Sequence, residues 1–248
     1  MASDTTGTTH ERQLSVDITL QQGDFALQAA FDTLPGITVI TGPSGAGKST
    51  LMSTIAGAIR PDGGRITLGD RVFDDCDKKT HLRPAKRWIG YVLQDSLLFP
   101  HLSVRQNMLY GHGGNKDAPW SLEDVARIMQ IDHLLDRNPH QLSGGEGRRV
   151  AIGRALLSGP DILLLDEPLA NLDSRRRLAI LPLIERLRDE FGLPIVYVTH
   201  AWPEIIRLAD MLVIMEAGRI TAQGPLADVL ADTTDLAALG LDGSATQW

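Results

Sequence analysis

Ile37-Thr38-Val39-Ile40-Thr41-Gly42-Pro43-Ser44-Gly45-Ala46-Gly47-Lys48-Ser49 is the stretch on which the fold turns. Residues 37–41 are a short apolar run rich in β-branched side chains and read as a strand. Gly42 to Ser49 fits G-x4-G-K-[ST], and residues 48–59 carry helical periodicity until Arg60-Pro61-Asp62-Gly63-Gly64 stops them. A strand that turns through glycines into a helix aims backbone N–H groups and the positive end of the helix dipole at one point. Such a point suits a phosphate. Lys48 would reach the β- and γ-phosphates of a nucleotide, and the Ser49 hydroxyl would bind Mg2+. Without a ligand, the same residues would be only a glycine-rich turn.

Outward from this loop, strands alternate with helices. Residues 14–31 alternate apolar and polar around 21–24, which predicts a hairpin. Strands are expected at 65–68, 88–93, 162–165, 195–199 and 211–215, the last followed by a turn at 216–219. Helices are expected at 145–157, 174–191 and 203–209. Residues 95–140 differ, with Pro100, Pro119, Pro139 and the run GHGGNKD among helical patches at 104–109 and 122–129. They read as a helical insertion in an α/β fold whose sheet is largely parallel at its centre. The polar residues 1–12 and those from 233 onward read as tails.

Composition narrows the class. Hydrophobic residues make up 43% of the 248 and charged residues 22%, which excludes bulk disorder. With 24 Lys+Arg against 31 Asp+Glu, the net charge of −7 gives no footprint for non-specific nucleic-acid binding. The single cysteine, Cys76, excludes a disulfide framework and fits a reducing compartment. No run approaches the roughly 18 apolar residues of a membrane span, and the polar N-terminus is not a secretory signal. A cytosolic protein is expected, linked to a membrane only through a partner.

Two further segments carry chemistry. Ile162–Leu165 is an apolar strand that ends in Asp166 and Glu167. Four apolar residues in a row imply burial on both faces, which would bring Asp166 out among the carboxyl ends of the strands. There it would serve Mg2+, directly or through water, while Glu167 would orient an attacking water; a solvated pair at a strand end is the plainer reading. Leu142-Ser143-Gly144-Gly145-Glu146 precedes a helix bearing Arg148, Arg149 and Arg154. Ser143 suits an N-cap, and the two glycines leave amides open for a second anion. A simple capped helix would look the same.

Taken in order, the phosphate loop, Gln94 in YVLQD, LSGGE, ILLLDEP, LANLD and His200 in YVTHAWPE resemble the ATPase subunits of ATP-binding cassette (ABC) transporters over about residues 14–230. The resemblance implies a P-loop NTPase core of ABC type, with an N-terminal antiparallel β subdomain and a helical subdomain inserted at about 95–145, within one nucleotide-binding domain over 13–232. It implies ATP and Mg2+ as cofactors. The nucleotide would touch Gly42, Pro43, Ser44, Gly45, Ala46, Gly47, Lys48, Ser49 and Thr50. Catalysis would fall to Glu167, Lys48 and His200, the last contacting the γ-phosphate. Ser49, Gln94 and Asp166 would serve the metal. Two chains would face head to tail, so that Ser143, Gly144, Gly145 and Glu146 contact the partner's ATP and Asp173 lies at the seam. The aromatic expected to stack on adenine is Phe25, which a buried core role fits nearly as well.

Glu146 stands where many members of the family have Gln. Gly147 follows it in place of a helix former, at a local cost of about 1 kcal/mol. Within the family, RWIGYVLQDSLLFPHLSVRQNMLYG and LDEPLANLDSRRRLAILPLIERL are most similar to the ATPases of molybdate importers. That likeness implies transmembrane permease subunits, a solute-binding protein acting through them, and a place at the inner face of the membrane. Other importer classes (sulfate, polyamine, sugar) and a non-transport ABC ATPase are the alternatives. A P-loop kinase or GTPase would lack LSGGE and His200. Leu97, Leu98, Phe99 and Leu102 are candidates either for permease docking or for the core of the small subdomain. No C-terminal oxyanion-binding domain is expected, and hence no regulation by bound oxyanion.

Overall fold

Alternation in the first predicted hairpin becomes two strands, Leu14–Gln22 (β1) and Phe25–Asp32 (β2), paired antiparallel with Gln22 opposite Phe25. Leu14, Val16, Ile18 and Leu20 are buried, as are Leu27, Ala29 and Phe31 on the facing strand. The period of two places one face of both strands in the core. In the computed structural model, residues 12–111, 120–170 and 172–232 are described. The two expected tails lie outside them, Arg12 apart, as does most of the GHGGNKD run.

In chain order there follow β3 (Ile37–Thr41), α1 (Lys48–Ile55), β4 (Gly63–Leu68), β5 (Arg71–Asp75), β6 (Thr80–His81) and β7 (Ile89–Val92). Next come α2 (Val104–Leu109), α3 (Leu122–Ile128), α4 (Gly144–Leu157), β8 (Ile162–Asp166), α5 (Ser174–Phe191) and β9 (Ile195–Val198). The described chain ends with α6 (Trp202–Leu208), β10 (Met211–Glu216), β11 (Arg219–Pro225) and α7 (Leu226–Asp232). The described residues divide into two compact units, one from those up to Arg87 and from Val196 onward, the other from those between Trp88 and Ile195.

In the first unit, strands are ordered β6-β5-β4-β1-β2-β11-β10-β3-β9. β3 and β10 run parallel, from Met211 beside Thr38 to Ile214 beside Thr41. Every residue of β3 is buried, as are Met211–Met215 of β10, which is why both read as unbroken apolar runs. Leu51, Met52 and Ile55 of α1 are fully buried. Helix α1 stops at Ile55, four residues short of the expected end. The chain turns at Gly57, at φ +83°, where a Cβ would sit 2.6 Å from Cζ of Arg87. Only glycine allows that approach. The strands β5, β6 and β11 and the helix α7 were not expected from the sequence.

In the second unit β7 and β8 are parallel, with Ile89 beside Ile162 and Val92 beside Leu165. The expected helical insertion is present as α2, α3 and short 3-10 turns at Asp132–Leu134 and Pro139–Gln141. Ser103 and Ser121 cap α2 and α3. Among the described residues, no helix is long and apolar enough to cross a membrane.

Candidate functional site

The buried strand β3 delivers Gly42, and the loop ends at Gly47, which is the N-cap of α1 at φ +99°. Gly47 offers no side chain to cap the helix, and the first turn of α1 holds no acidic residue. By contrast, Ser103, Ser121, Ser143 and Asp173 each accept a hydrogen bond from the first turns of α2, α3, α4 and α5. A helix start with no capping side chain and no acid suits an anion. Lys48 is 7% exposed, and its Nζ donates to the carbonyls of Gly42 (2.8 Å) and Pro43 (2.9 Å). Its ammonium therefore lies over the loop from which it grows. Ser44, Gly45 and Ser49 are exposed, and the Ala46 carbonyl accepts from Gly218 N–H at 3.0 Å.

Phe25 is half-buried at the start of β2. A Cβ on Gly47 would lie 2.6 Å from Phe25 Cζ, and one on Gly218 3.4 Å from its Cε2. The ring therefore sits at the lip of the loop rather than in the core.

Behind α1 lies a group that the sequence reading missed. Arg87 is fully buried; its Nη1 donates to the carbonyls of Thr54 (3.2 Å) and Ile55 (2.9 Å), and its Nε to Leu82 O (2.8 Å). It pairs with Asp74 at 2.8 Å, and Asp74 also meets His81 Nδ1 at 2.6 Å. The guanidinium lies 5.3 Å from the centre of the Phe73 ring. Burial pulls its pKa below the usual arginine value, while Asp74 opposes that shift. This cation closes the C-terminal end of the phosphate-loop helix. Its partners lie up to 33 residues away, so nothing local marks it.

His200 is exposed just past β9, and a buried network lies beneath it. Glu204, 2% exposed, accepts through Oε2 from the hydroxyls of Tyr197 (2.8 Å) and Thr199 (2.7 Å). Thr199 Oγ1 in turn accepts from Ala201 N–H at 3.0 Å. An acid in the first turn of a helix, four residues after the histidine, was the available signal for Glu204.

In the second unit Asp166 ends β8 at 5% exposure, with the Tyr91 hydroxyl 3.4 Å from its Oδ2. Glu167 follows at φ +45°, a left-handed conformation that costs a non-glycine residue on the order of 1 kcal/mol. Ser143 and Glu146 form a capping box. Ser143 Oγ accepts from Glu146 N–H, and Glu146 Oε2 accepts from Ser143 N–H at 2.7 Å. The side-chain and then the backbone hydrogen bond of Ser143 hold the Glu146 carboxyl below the usual glutamate range. Gly144 and Gly145 lie against LANLD and the start of α5: Leu172 Cδ2 would be 3.4 Å from a Cβ on the first, and the Arg176 stem 3.8 Å from one on the second. Asp173 is exposed, caps α5 and pairs with Arg176 at 3.3 Å.

Two of the α4 arginines bind backbone carbonyls. Arg148 donates to Leu93 O (2.8 Å), and Arg154 to Leu97 O (3.0 Å) and Ser96 O (3.3 Å). They hold the segment on either side of Gln94, which is itself exposed. Burial lowers the pKa of Arg154, whose guanidinium also lies 5.2 Å from the Phe99 ring centre. Of the four candidate docking residues, Leu97 is exposed at 59%, while Leu98, Phe99 and Leu102 are half-buried.

Residues 33–170 match the model of a family described as ABC transporter. The chain is 52% identical over 217 residues to the molybdenum import ATP-binding protein ModC of Brucella suis biovar 1 (strain 1330), covering 87% of this chain and 60% of that protein. It thus spans about three fifths of the length of the curated relatives it matches. Among solved structures it is similar to cbiO1 of Clostridium perfringens, part of the ABC transporter complex cbiONQ. The TM-score is 0.73 and the identity 26%, over 94% of this chain and 95% of that one. A dimeric post-hydrolysis ATP-binding cassette bound to ADP and phosphate matches with TM-score 0.69 and 26% identity, over 86% and 98% of the two chains.

Proposed function

Since the chain belongs to the ABC transporter family, we propose that it is the ATP-hydrolysing subunit of an importer, energising uptake of molybdate or tungstate through a separate membrane permease. The observation that carries the ATP half of this reading is α1. Its N-terminus has a glycine cap, no acid in its first turn and a lysine folded over its loop, whereas the four helices α2 to α5 cap themselves. The names of relatives such as the Brucella suis protein support the cargo.

In this reading the loop amides from Gly42 to Thr50 take the phosphates, and Lys48 exchanges the Gly42 and Pro43 carbonyls for phosphate oxygens. Phe25 stacks on adenine. Ser49, Gln94 and Asp166 offer hard oxygen donors, a set that suits Mg2+. When bound, the ion would neutralise phosphate charge. Glu167 orients water toward the γ-phosphate, and His200 donates to its developing charge. Two chains meet head to tail over ATP, each giving Ser143, Gly144, Gly145 and Glu146 to the partner's nucleotide, with Asp173 at the seam. Closing and reopening of that dimer drives a permease seated near Gln94 and the helical segment at about 95–145. A solute-binding protein acts through the permease, nucleic acid has no part, and the chain works at the cytoplasmic face of the membrane as one nucleotide-binding domain over 13–232.

Glu167→Gln tests the chemistry, because it keeps the shape but cannot accept a proton. The variant should bind ATP, turn over at least about 100-fold more slowly and accumulate as an ATP-bound dimer on size-exclusion chromatography. Wild-type turnover by this variant refutes the assignment. For cargo, deleting the gene should lower molybdenum-enzyme activity, and excess molybdate should restore it. Normal molybdenum uptake with loss of another solute moves the protein to a sister importer class.

A further inference from the structure

We infer that Glu204 is the positioning residue that fixes His200 for hydrolysis, acting through Thr199; this rests on the role proposed above for His200. Thr199 and Ala201 flank the histidine, and one hydrogen-bonded relay holds both. Glu204 Oε2 accepts from Thr199 Oγ1 at 2.7 Å, and the same Oγ1 accepts from Ala201 N–H at 3.0 Å. Direction matters in this relay. Glu204 Oε2 accepts from the threonine hydroxyl, which leaves the lone pairs of Thr199 Oγ1 facing the amide. The Tyr197 hydroxyl, on a residue with no exposure, donates to the same Oε2 at 2.8 Å and steadies it.

Thr199 N–H also donates to the carbonyl of Ile40 at 3.2 Å. Ile40 stands two residues before Gly42, so the turn that presents His200 is tied to the strand that ends in the phosphate loop. Burying a carboxylate at 2% exposure is costly unless its bonds are made. A well-packed apolar side chain would hold α6 against the strand more simply. What the carboxylate adds is a fixed orientation of the backbone on both sides of an exposed histidine.

Both hydroxyls reach one oxygen of Glu204, and a glutamine carbonyl can occupy that place. Steady-state hydrolysis by the full chain should therefore separate the variants. Glu204→Gln should keep kcat within about threefold of wild type. Glu204→Met should lose about 10- to 100-fold in kcat, with KM for ATP changed less than about twofold, because misplacing a catalytic group costs rate rather than binding. Thr199→Val, isosteric and at a residue with no nucleotide contact assigned to it above, should reproduce the loss, and Thr199→Ser should not; this pair stands even if Glu204→Met fails to fold. In a His200→Ala background, Glu204→Met and Thr199→Val should slow hydrolysis no further. Independent, multiplying losses overturn the inference, as does a wild-type kcat in Thr199→Val. Wild-type hydrolysis by His200→Ala overturns the role of the histidine itself, and that of Glu204 with it.

Discussion

Replacing Arg87 by Met keeps much of its length and removes its charge, and the structure gives the cost. Three carbonyls, those of Thr54, Ile55 and Leu82, lose donors. Asp74, 1% exposed, loses its guanidinium partner and keeps the His81 ring at 2.6 Å. Breaking a buried ion pair from one side costs about 3–5 kcal/mol, because the remaining charge stays buried. At about 2–4 °C per kcal/mol for a chain of this size, the melting temperature should fall by roughly 6–20 °C. Adding Asp74→Asn removes the stranded charge, so Arg87→Met/Asp74→Asn should recover more than about 1 kcal/mol of the loss. Urea titrations followed by far-UV circular dichroism would measure both. The reasoning fails if Arg87→Met lies within about 1 kcal/mol of wild type, or if the double variant is no more stable than the single one.

Acid should act through the capping box at Glu146. Its folded pKa is lowered, so the stability it contributes is complete above the ordinary glutamate range and is lost as pH falls through the folded value. The gap in urea midpoint between wild type and Glu146→Gln should shrink between neutral pH and about pH 3; a constant gap argues against the box. Gly147 lies in the helical body of α4, where a Cβ would meet only Leu98 and Ser96, both at 3.9 Å. Gly147→Ala should accordingly stabilise the protein by about 0.5–1 kcal/mol, and a loss of stability by urea titration would show that the position is tighter than this.

What the sequence makes legible is what local rules determine. Alternation marks β1 and β2, unbroken β-branched residues mark β3, and Ser143 three residues before Glu146 is a capping box in the letters themselves. The loop from Gly42 to Ser49 is equally local. Strand β5 escapes because Asp74 and Asp75 look like surface residues, and they are buried only because Arg87, His81, Arg65 and Lys78 come to meet them. Strand β11 escapes because its residues are half-exposed or exposed throughout and carry little apolar signal. In α1 the helical pattern runs on to 59, yet the helix ends at Ile55, because Arg87 occupies the space beside Gly57 and takes the terminal carbonyls. Nothing local marks what Arg148 and Arg154 bind. Their partners turn out to be carbonyls 55 to 58 residues away, a relation that no window of sequence contains.

The outermost strand of the first unit's sheet, β6, has two residues. It covers only Asp74 and Asp75 of β5, while the Leu82 N–H donates to the Phe73 carbonyl and the Arg71 guanidinium donates to Lys86 O. Exposed Lys78 and Lys79 precede it. A sheet that ends on so short a strand, flanked by two cations, leaves almost no straight run of free amides and carbonyls along which another chain could add itself. On this side the sheet offers little to edge-to-edge association, and the residues that make it so are the same few that fold around Arg87.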